Sequence, residues 1–195
     1  MTEEKKAKEK RPRKPVEPTP KWLRDQALRY LNRFPATSHK MARHLRNKAA
    51  PQLEHFDLSE EKLTEDIAKV VADMIKAGFI NDAEFAASKA RIMAREGRSI
   101  AQIGLKLQEM AFSDADQARA LDALGDNRNE LDRRAAARFV KRRRFGPYKS
   151  EETRGERRNK ELASLARQGF SFDVATLVID AESVDVIETI IYGEE

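Results

Sequence analysis

The sequence predicts an all-α protein made of many short helices. Apolar residues recur at three- and four-residue intervals, no stretch alternates as a strand does, and Ser or Asn precedes most apolar stripes while Gly or Pro follows them.

Taken in order, Leu23, Ala27, Tyr30, Leu31 and Phe34 share one face of a helix over about 21–33, ended near Pro35. Met41, Leu45 and Ala49 mark a second over about 38–49, with Pro51 as its stop and residues 51–57 as an inserted loop. Leu63, Ile67, Val70, Val71, Met74 and Ile75 mark a third over about 60–77, with Ser59 as N-cap and Gly78 just past the end. Asn81 caps a fourth running to Gly97 through Phe85, Ile92 and Met93. Ser99 and Gln102 form a capping box for a fifth, striped by Ile100, Ile103, Leu107 and Met110. Ser113 opens a short sixth through Ala118, Leu121 and Leu124. Leu131, Ala135, Phe139 and Val140 carry the seventh, over about 130–145, up to Phe145-Gly146-Pro147. The eighth, about 151–168 with Leu162, Leu165 and Ala166, stops at Gly169. The ninth starts from Ser171 with Val174, Leu177 and Val178, and a further turn on Ile187, Ile190 and Ile191 is left open.

Residues 107–114 (LQEMAFSD) and 165–173 (LARQGFSFD) share a Leu, a small residue before Phe, then Ser and a nearby Asp. In each, one helix ends, Phe plugs the corner and Ser caps the next helix. A weaker copy aligns Leu45 to Ala49, skips the inserted loop and resumes at Leu58-Ser59. The pattern predicts three three-helix modules, 21–78, 79–125 and 128–182, then an acidic extension over 183–195. Such modules gain by stacking, so an elongated tandem array with a concave side is expected. Residues 1–20 hold four of the seven prolines and only Met1 and Val16 as large apolar residues, which predicts a disordered basic arm dispensable for folding.

Charge narrows the function. The 195 residues carry 38 basic and 33 acidic side chains, a net of +5 that hides strong segregation. Residues 1–21 are net +4, 22–127 neutral, 128–160 net +8 and 161–195 net −7. The absence of Cys excludes disulfides, thiolate catalysis and Cys-ligated metals. No apolar run reaches membrane length and no signal-peptide core is present, so a cytoplasmic location is expected. His39, His44 and His55 lack acidic neighbours at ligand spacing and read as solvent-facing. The stretch Gly146-Pro147-Tyr148-Lys149-Ser150 is not a phosphate-binding P-loop. Most carboxylates sit at caps or in pairs such as Glu65 with Lys69. Neither an enzyme nor a cofactor or metal site is expected.

The basic segment stands out. At 100° per residue Arg133, Arg134, Arg138, Lys141 and Arg144 fall within an arc of about 140°, opposite Leu131, Ala135, Ala136 and Phe139. Attraction to the helix C-terminus accounts for the run from Lys141 through Arg142 and Arg143 to Arg144, but not for the earlier arginines. A helical hairpin would let Arg154, Arg157, Arg158 and Lys160 extend the face. An anionic or protein partner surface is expected.

Gly78-Phe79-Ile80-Asn81-Asp82, Phe85-Ala86, Arg91 and Gly97-Arg98-Ser99, followed by the helix with Leu105 and Leu107, resemble the central signature of the RecX family, regulators of the RecA recombinase. Residues 135–146 (AAARFVKRRRFG) are similar to the family's basic run ending in Phe-Gly, and residues 162–173 to its Leu-rich helix closing in Gly-Phe-Ser-Phe-Asp. The likeness spans about residues 22–182. Departures are the loosely matching first module, with its 51–57 insertion, and Ala111 where Gly is common. The resemblance implies a non-enzymatic protein that lodges in the groove of the RecA filament on single-stranded DNA; a monomer is expected. There it would inhibit ATP hydrolysis, coprotease function and strand exchange, regulating recombination, DNA repair and the SOS response. Weak binding to single- or double-stranded DNA is left open. It carries over Arg91, Arg98, Arg138, Lys141, Arg142, Arg143 and Arg144 as contacts, beside Arg133, Arg134, Arg157 and Arg158 from the charge pattern. The alternative is a helical nucleic-acid-binding module or transcriptional regulator using helix 99–110 for recognition, although its apolar stripe and Gly104 suit groove reading poorly.

Overall fold

A computed structural model describes residues 15–193, all of whose regular structure is helical. The helices are α1 (Pro20–Leu31), α2 (Ser38–Phe56), α3 (Glu60–Lys76), α4 (Asp82–Arg95), α5 (Ile100–Glu109), α6 (Asp114–Asp122), α7 (Arg128–Arg143), α8 (Glu151–Arg167), α9 (Phe172–Ile179) and α10 (Val184–Tyr192), with a 3-10 turn at Gly146–Tyr148. The chain divides into two compact units, the first ending at Phe79 and the second beginning at Ile80.

In the first unit α1, α2 and α3 pack pairwise around Leu23, Ala27, Met41, Leu45, Ala49, Ile67, Val70 and Met74. Most of the expected arm, residues 1–14, lies outside the described residues. The rest is not featureless. Pro18 is buried, the Thr19 hydroxyl accepts the Trp22 N–H as the N-cap of α1, and Pro20 occupies the first helical turn. A chain starting at residue 21 would therefore lose a cap worth about 1 kcal/mol, so retained helicity with a modest fall in melting temperature is the expected result of that truncation.

Pro51 does not stop α2, and residues 51–56 are helix rather than an inserted loop. The missing proline N–H leaves the Asn47 carbonyl without its helical donor, yet Leu53 continues the inward stripe of Leu45 and Ala49, and α2 remains packed on α1 and α3. The helix ends at Asp57, φ 50, where the Leu58 N–H returns to the Leu53 carbonyl at 3.2 Å. The same closure recurs at Ala111 (φ 59), with Phe112 N–H on Leu107, and at Gly169 (φ 78), with Phe170 N–H on Leu165. Ser59, Ser113 and Ser171 then cap α3, α6 and α9. In this closure Leu53, not Leu45, accepts the returning N–H as Leu107 and Leu165 do. His44 is half-buried, its ring 4.3 Å from that of Tyr30, rather than solvent-facing.

Ala111 is an exposed L-residue in a left-handed conformation, where a Cβ costs roughly 1–2 kcal/mol. Ala111→Gly removes that strain at about 0.4–1 kcal/mol of extra unfolded-chain entropy. A small rise in melting temperature is expected, and a fall would show that the strain is absent.

The second unit holds two apolar clusters. One joins Ala86, Ala90, Met93, Ile103, Leu107, Phe112 and Ala120 of α4–α6 and their joints; the other runs from Ala135 through Phe139, Leu165, Phe170 and Val178 to Ile191. The stretch read as an acidic extension supplies α10, whose Ile187 and Ile191 are buried against α7. Two joints dock across the clusters. A Cβ on Gly97 would lie 3.1 Å from the Ala135 carbonyl oxygen, and one on Gly169 would lie 2.9 Å from the Ser99 hydroxyl. Ser99 is fully buried, caps Gln102 N–H and donates to the Gln168 carbonyl at 2.5 Å. The Gln102 side chain donates to the Arg167 carbonyl instead of closing the expected capping box.

Candidate partner-binding face

The candidate face is built on α7, which packs mainly on α9 and α10 and also touches α4 and α5. These neighbours bury Ala135, Ala136, Ala137, Phe139 and Val140, leaving the basic side chains on what remains. Asn127 caps the start through the Glu130 N–H, and Arg144 in a left-handed conformation, φ 54, ends the helix.

The cations on this face differ in their surroundings. Arg134 donates to Glu130 one turn earlier at 2.9 Å. Lys141 donates to Glu188 of α10 at 2.7 Å and lies 5.3 Å from the centre of the Tyr192 ring. Arg142 donates to the Glu96 carbonyl at 2.5 Å, which brings it to the α4–α5 joint where Arg98 pairs with the Glu96 carboxylate at 3.2 Å. The Arg142 and Arg143 guanidinium groups lie over the Phe139 ring at 5.6 and 5.7 Å. Arg133, Arg143 and Arg144 are exposed with no carboxylate partner among the described residues, and Arg138 is half-buried beside Gly97.

The remaining candidates fall elsewhere. Arg91 pairs with Glu84 at 2.7 Å on α4. α8 packs on α9 rather than forming a main hairpin pair with α7, and its cations turn that way. Arg158 grips Asp180 through two hydrogen bonds of 2.7 and 2.6 Å, and Arg154 donates to the Ala181 carbonyl at 2.6 Å; Arg157 stays exposed without an acidic partner among the described residues. The α8 arginines therefore do not extend the face as a block.

Sequence reading missed three positioning groups. Asp132 accepts the Ile100 N–H at 2.8 Å, ties α7 to the first turn of α5, and is raised above its usual 3.8 by burial, against the effect of that hydrogen bond. Glu161, buried, accepts the Gly146 N–H at 2.8 Å, and Lys149 lies 3.2 Å from its other oxygen, an ion pair off-line for a hydrogen bond. Glu188 also accepts the Tyr148 hydroxyl at 3.1 Å. The contacts to Asp132, Arg167 and Gln168 occupy the first turn of α5, the helix that the alternative reading would place in a DNA groove.

The Lys141 hydrogen bond holds Glu188 below 4.5, and the Arg158 hydrogen bonds hold Asp180 below 3.8; Glu188 in turn raises Lys141 above 10.5. A carboxylate lowered by folding stabilises the fold above its unfolded value, and that contribution is lost as pH falls through its folded value. Asp132, raised, acts in the opposite direction. On acidification below about pH 4.5 the second unit is expected to melt earlier, and Glu188→Gln should flatten that dependence. An unchanged pH profile in the variant would remove Glu188 as a source of it.

Among the described residues no three His, Asp or Glu side chains converge as a metal site, and no helix is long and apolar enough to cross a membrane. No family model matches the chain. It is 32% identical over 178 residues to "Regulatory protein RecX" of Myxococcus xanthus (strain DK1622), covering 90% of this chain and 94% of that one. It is 30% identical over 167 residues to the regulatory protein RecX of Agrobacterium fabrum, covering 84% and 86%. A crystal structure of regulatory protein RecX has the same fold, with a TM-score of 0.58 at 20% identity over 83% of this chain and 72% of that one.

Proposed function

Since the chain belongs to the RecX family of regulatory proteins, we propose that it acts without catalysis of its own, by binding the RecA filament on single-stranded DNA and slowing its ATP hydrolysis and strand exchange. The observation that carries this reading is the group of cations at α7 that the chain leaves without carboxylates, Arg133, Arg143 and Arg144, with Arg138, Arg142 and Arg98 at the adjoining α4–α5 joint. Long-range attraction from such a cluster speeds encounter with an anionic or acidic surface and weakens with salt. Arg134, Lys141 and Arg158 have chain-internal duties beside any contact they make, and Arg91 and Arg157 lie peripheral to the cluster. We also read α1–α3, α4–α6 and α7–α9 as three copies of one module, on the strength of the recurring Leu-to-Ser closure.

The test is inhibition of RecA ATP hydrolysis on single-stranded DNA. A variant with Arg133→Gln, Arg143→Gln and Arg144→Gly is expected to lose about tenfold in potency, equivalent to about 1.4 kcal/mol, and to show shallower salt dependence. It should remain folded, because these side chains are exposed and glycine suits φ 54. Arg158→Gln is the contrast: it should lower stability through Asp180 and leave inhibition at matched folded concentration unchanged. A triple variant that inhibits as well as the parent would reduce the face to a solvated surface.

A further inference from the structure

The neutral charge balance of residues 22–127 conceals a second basic stretch. From Pro20 to Ala50 there are eight Lys and Arg but one acid, Asp25. In the first unit, the C-terminal half of α1 and the middle of α2 enclose an open groove of about 440 Å³. Arg29, Arg33 and Lys48 line it together with the rings of Tyr30, Phe34 and His44, and no carboxylate contributes to its wall. None of the three cations has an ion-pair partner among the described residues. The rings form a continuous set: Tyr30 lies 4.3 Å from His44 and 5.6 Å from Phe34 between centroids, and Phe34 remains 56% exposed. The Phe34 ring touches Tyr30 yet keeps more than half of its surface in water beside these unpaired cations.

We propose that this groove binds a nucleobase and its adjoining phosphates, presented by a single strand of nucleic acid, with Phe34 and Tyr30 as stacking surfaces and Arg29, Arg33 and Lys48 as phosphate contacts. The volume lies within the range of small-ligand sites. Exposed aromatic faces beside cations are the combination that holds unpaired bases, because every base has a π-face while the backbone supplies the charge. A duplex keeps its bases stacked and offers only phosphates. Burial, and secondarily the Lys48 ammonium, keep His44 below its usual 6.5, so its ring is largely neutral near pH 7 and adds a flat surface.

Binding here needs no recombinase and is measured on the full chain alone, with a labelled octathymidylate, thymidine monophosphate and an eight-base-pair duplex as probes. Three phosphate contacts on a single strand predict a slope of log K against log salt near about −2. Phe34→Ala should weaken octathymidylate binding roughly tenfold with an unchanged melting temperature, and Phe34→Trp should restore it. Joint replacement of Arg29, Arg33 and Lys48 by Gln should abolish the salt slope. Competition by the mononucleotide at far higher concentration is expected; competition at equal concentration would overturn the strand as the ligand in favour of a free nucleotide. The proposal is overturned outright if the duplex binds as tightly as the single strand, or if the groove variants bind octathymidylate as the parent does. The variant lacking Arg133, Arg143 and Arg144 should keep octathymidylate binding, so failure of the filament reading and failure of this one are separable.

Discussion

Phe139→Ala is expected to cost about 3 to 5 kcal/mol and to unfold the α7–α10 core. Phe139 is 4% exposed and packs edge-on against Phe145 at 6.0 Å and obliquely against Phe170 at 6.4 Å between ring centroids. It thus joins the end of α7, the turn after it and the α8–α9 joint. Its outer face carries the Arg142 and Arg143 guanidinium groups, each contact worth about 0.5–1 kcal/mol at an exposed site. Truncation leaves a cavity between elements that cannot close without moving α9, and it also frees both arginines from the orientation that the ring imposes. Urea unfolding followed by circular dichroism reads the loss. A cost below about 2 kcal/mol, with inhibition retained, would show that the ring is not the anchor of this core.

Gly146→Ala is expected to cost about 2–5 kcal/mol, from a left-handed backbone penalty of roughly 1–2 and an overpacking penalty of about 1–3. At φ 53 the residue sits where a Cβ would stand 2.6 Å from the Ile179 carbonyl oxygen and 3.0 Å from its Cα, both backbone atoms. Its N–H is held by the buried Glu161 carboxylate at 2.8 Å, so the turn cannot rotate away without taking a hydrogen bond from a buried carboxylate that then keeps only its ion pair with Lys149. Gly78→Ala is the control, since Gly78 has φ 76 with nothing within 4 Å of a built Cβ. Thermal melts of the two variants separate strain from contact. If Gly146→Ala proves no costlier than Gly78→Ala, the approach of α9 is looser than drawn.

The Phe-Gly that ends the basic run thus has a structural duty that charge counting could not reveal. Much else was legible: Ser59, Asn81, Ser99, Ser113 and Ser171 cap the helices assigned to them, and α7 carries its cations opposite a buried stripe. Pro51 misled because the rule against proline in a helix is a local cost, and the inward stripe from Leu45 to Leu53 outweighs it. The α1–α2 groove went unseen because averaging over residues 22–127 cancelled its cations against acids on other elements.

What the sequence by itself determined is most of what depends on neighbours within about four residues: the bulk of the helix content, the N-caps and the polarity of each face. Tertiary structure alone decided which cations stay free. Lys141 meets Glu188 across 47 residues, Arg158 meets Asp180 across 22, and Asp132 reaches the first turn of α5 across 32. Charge acts through distance in space, so whether an arginine is a partner contact or an internal strut is set by the packing that brings a carboxylate, or none, within a few ångströms of it.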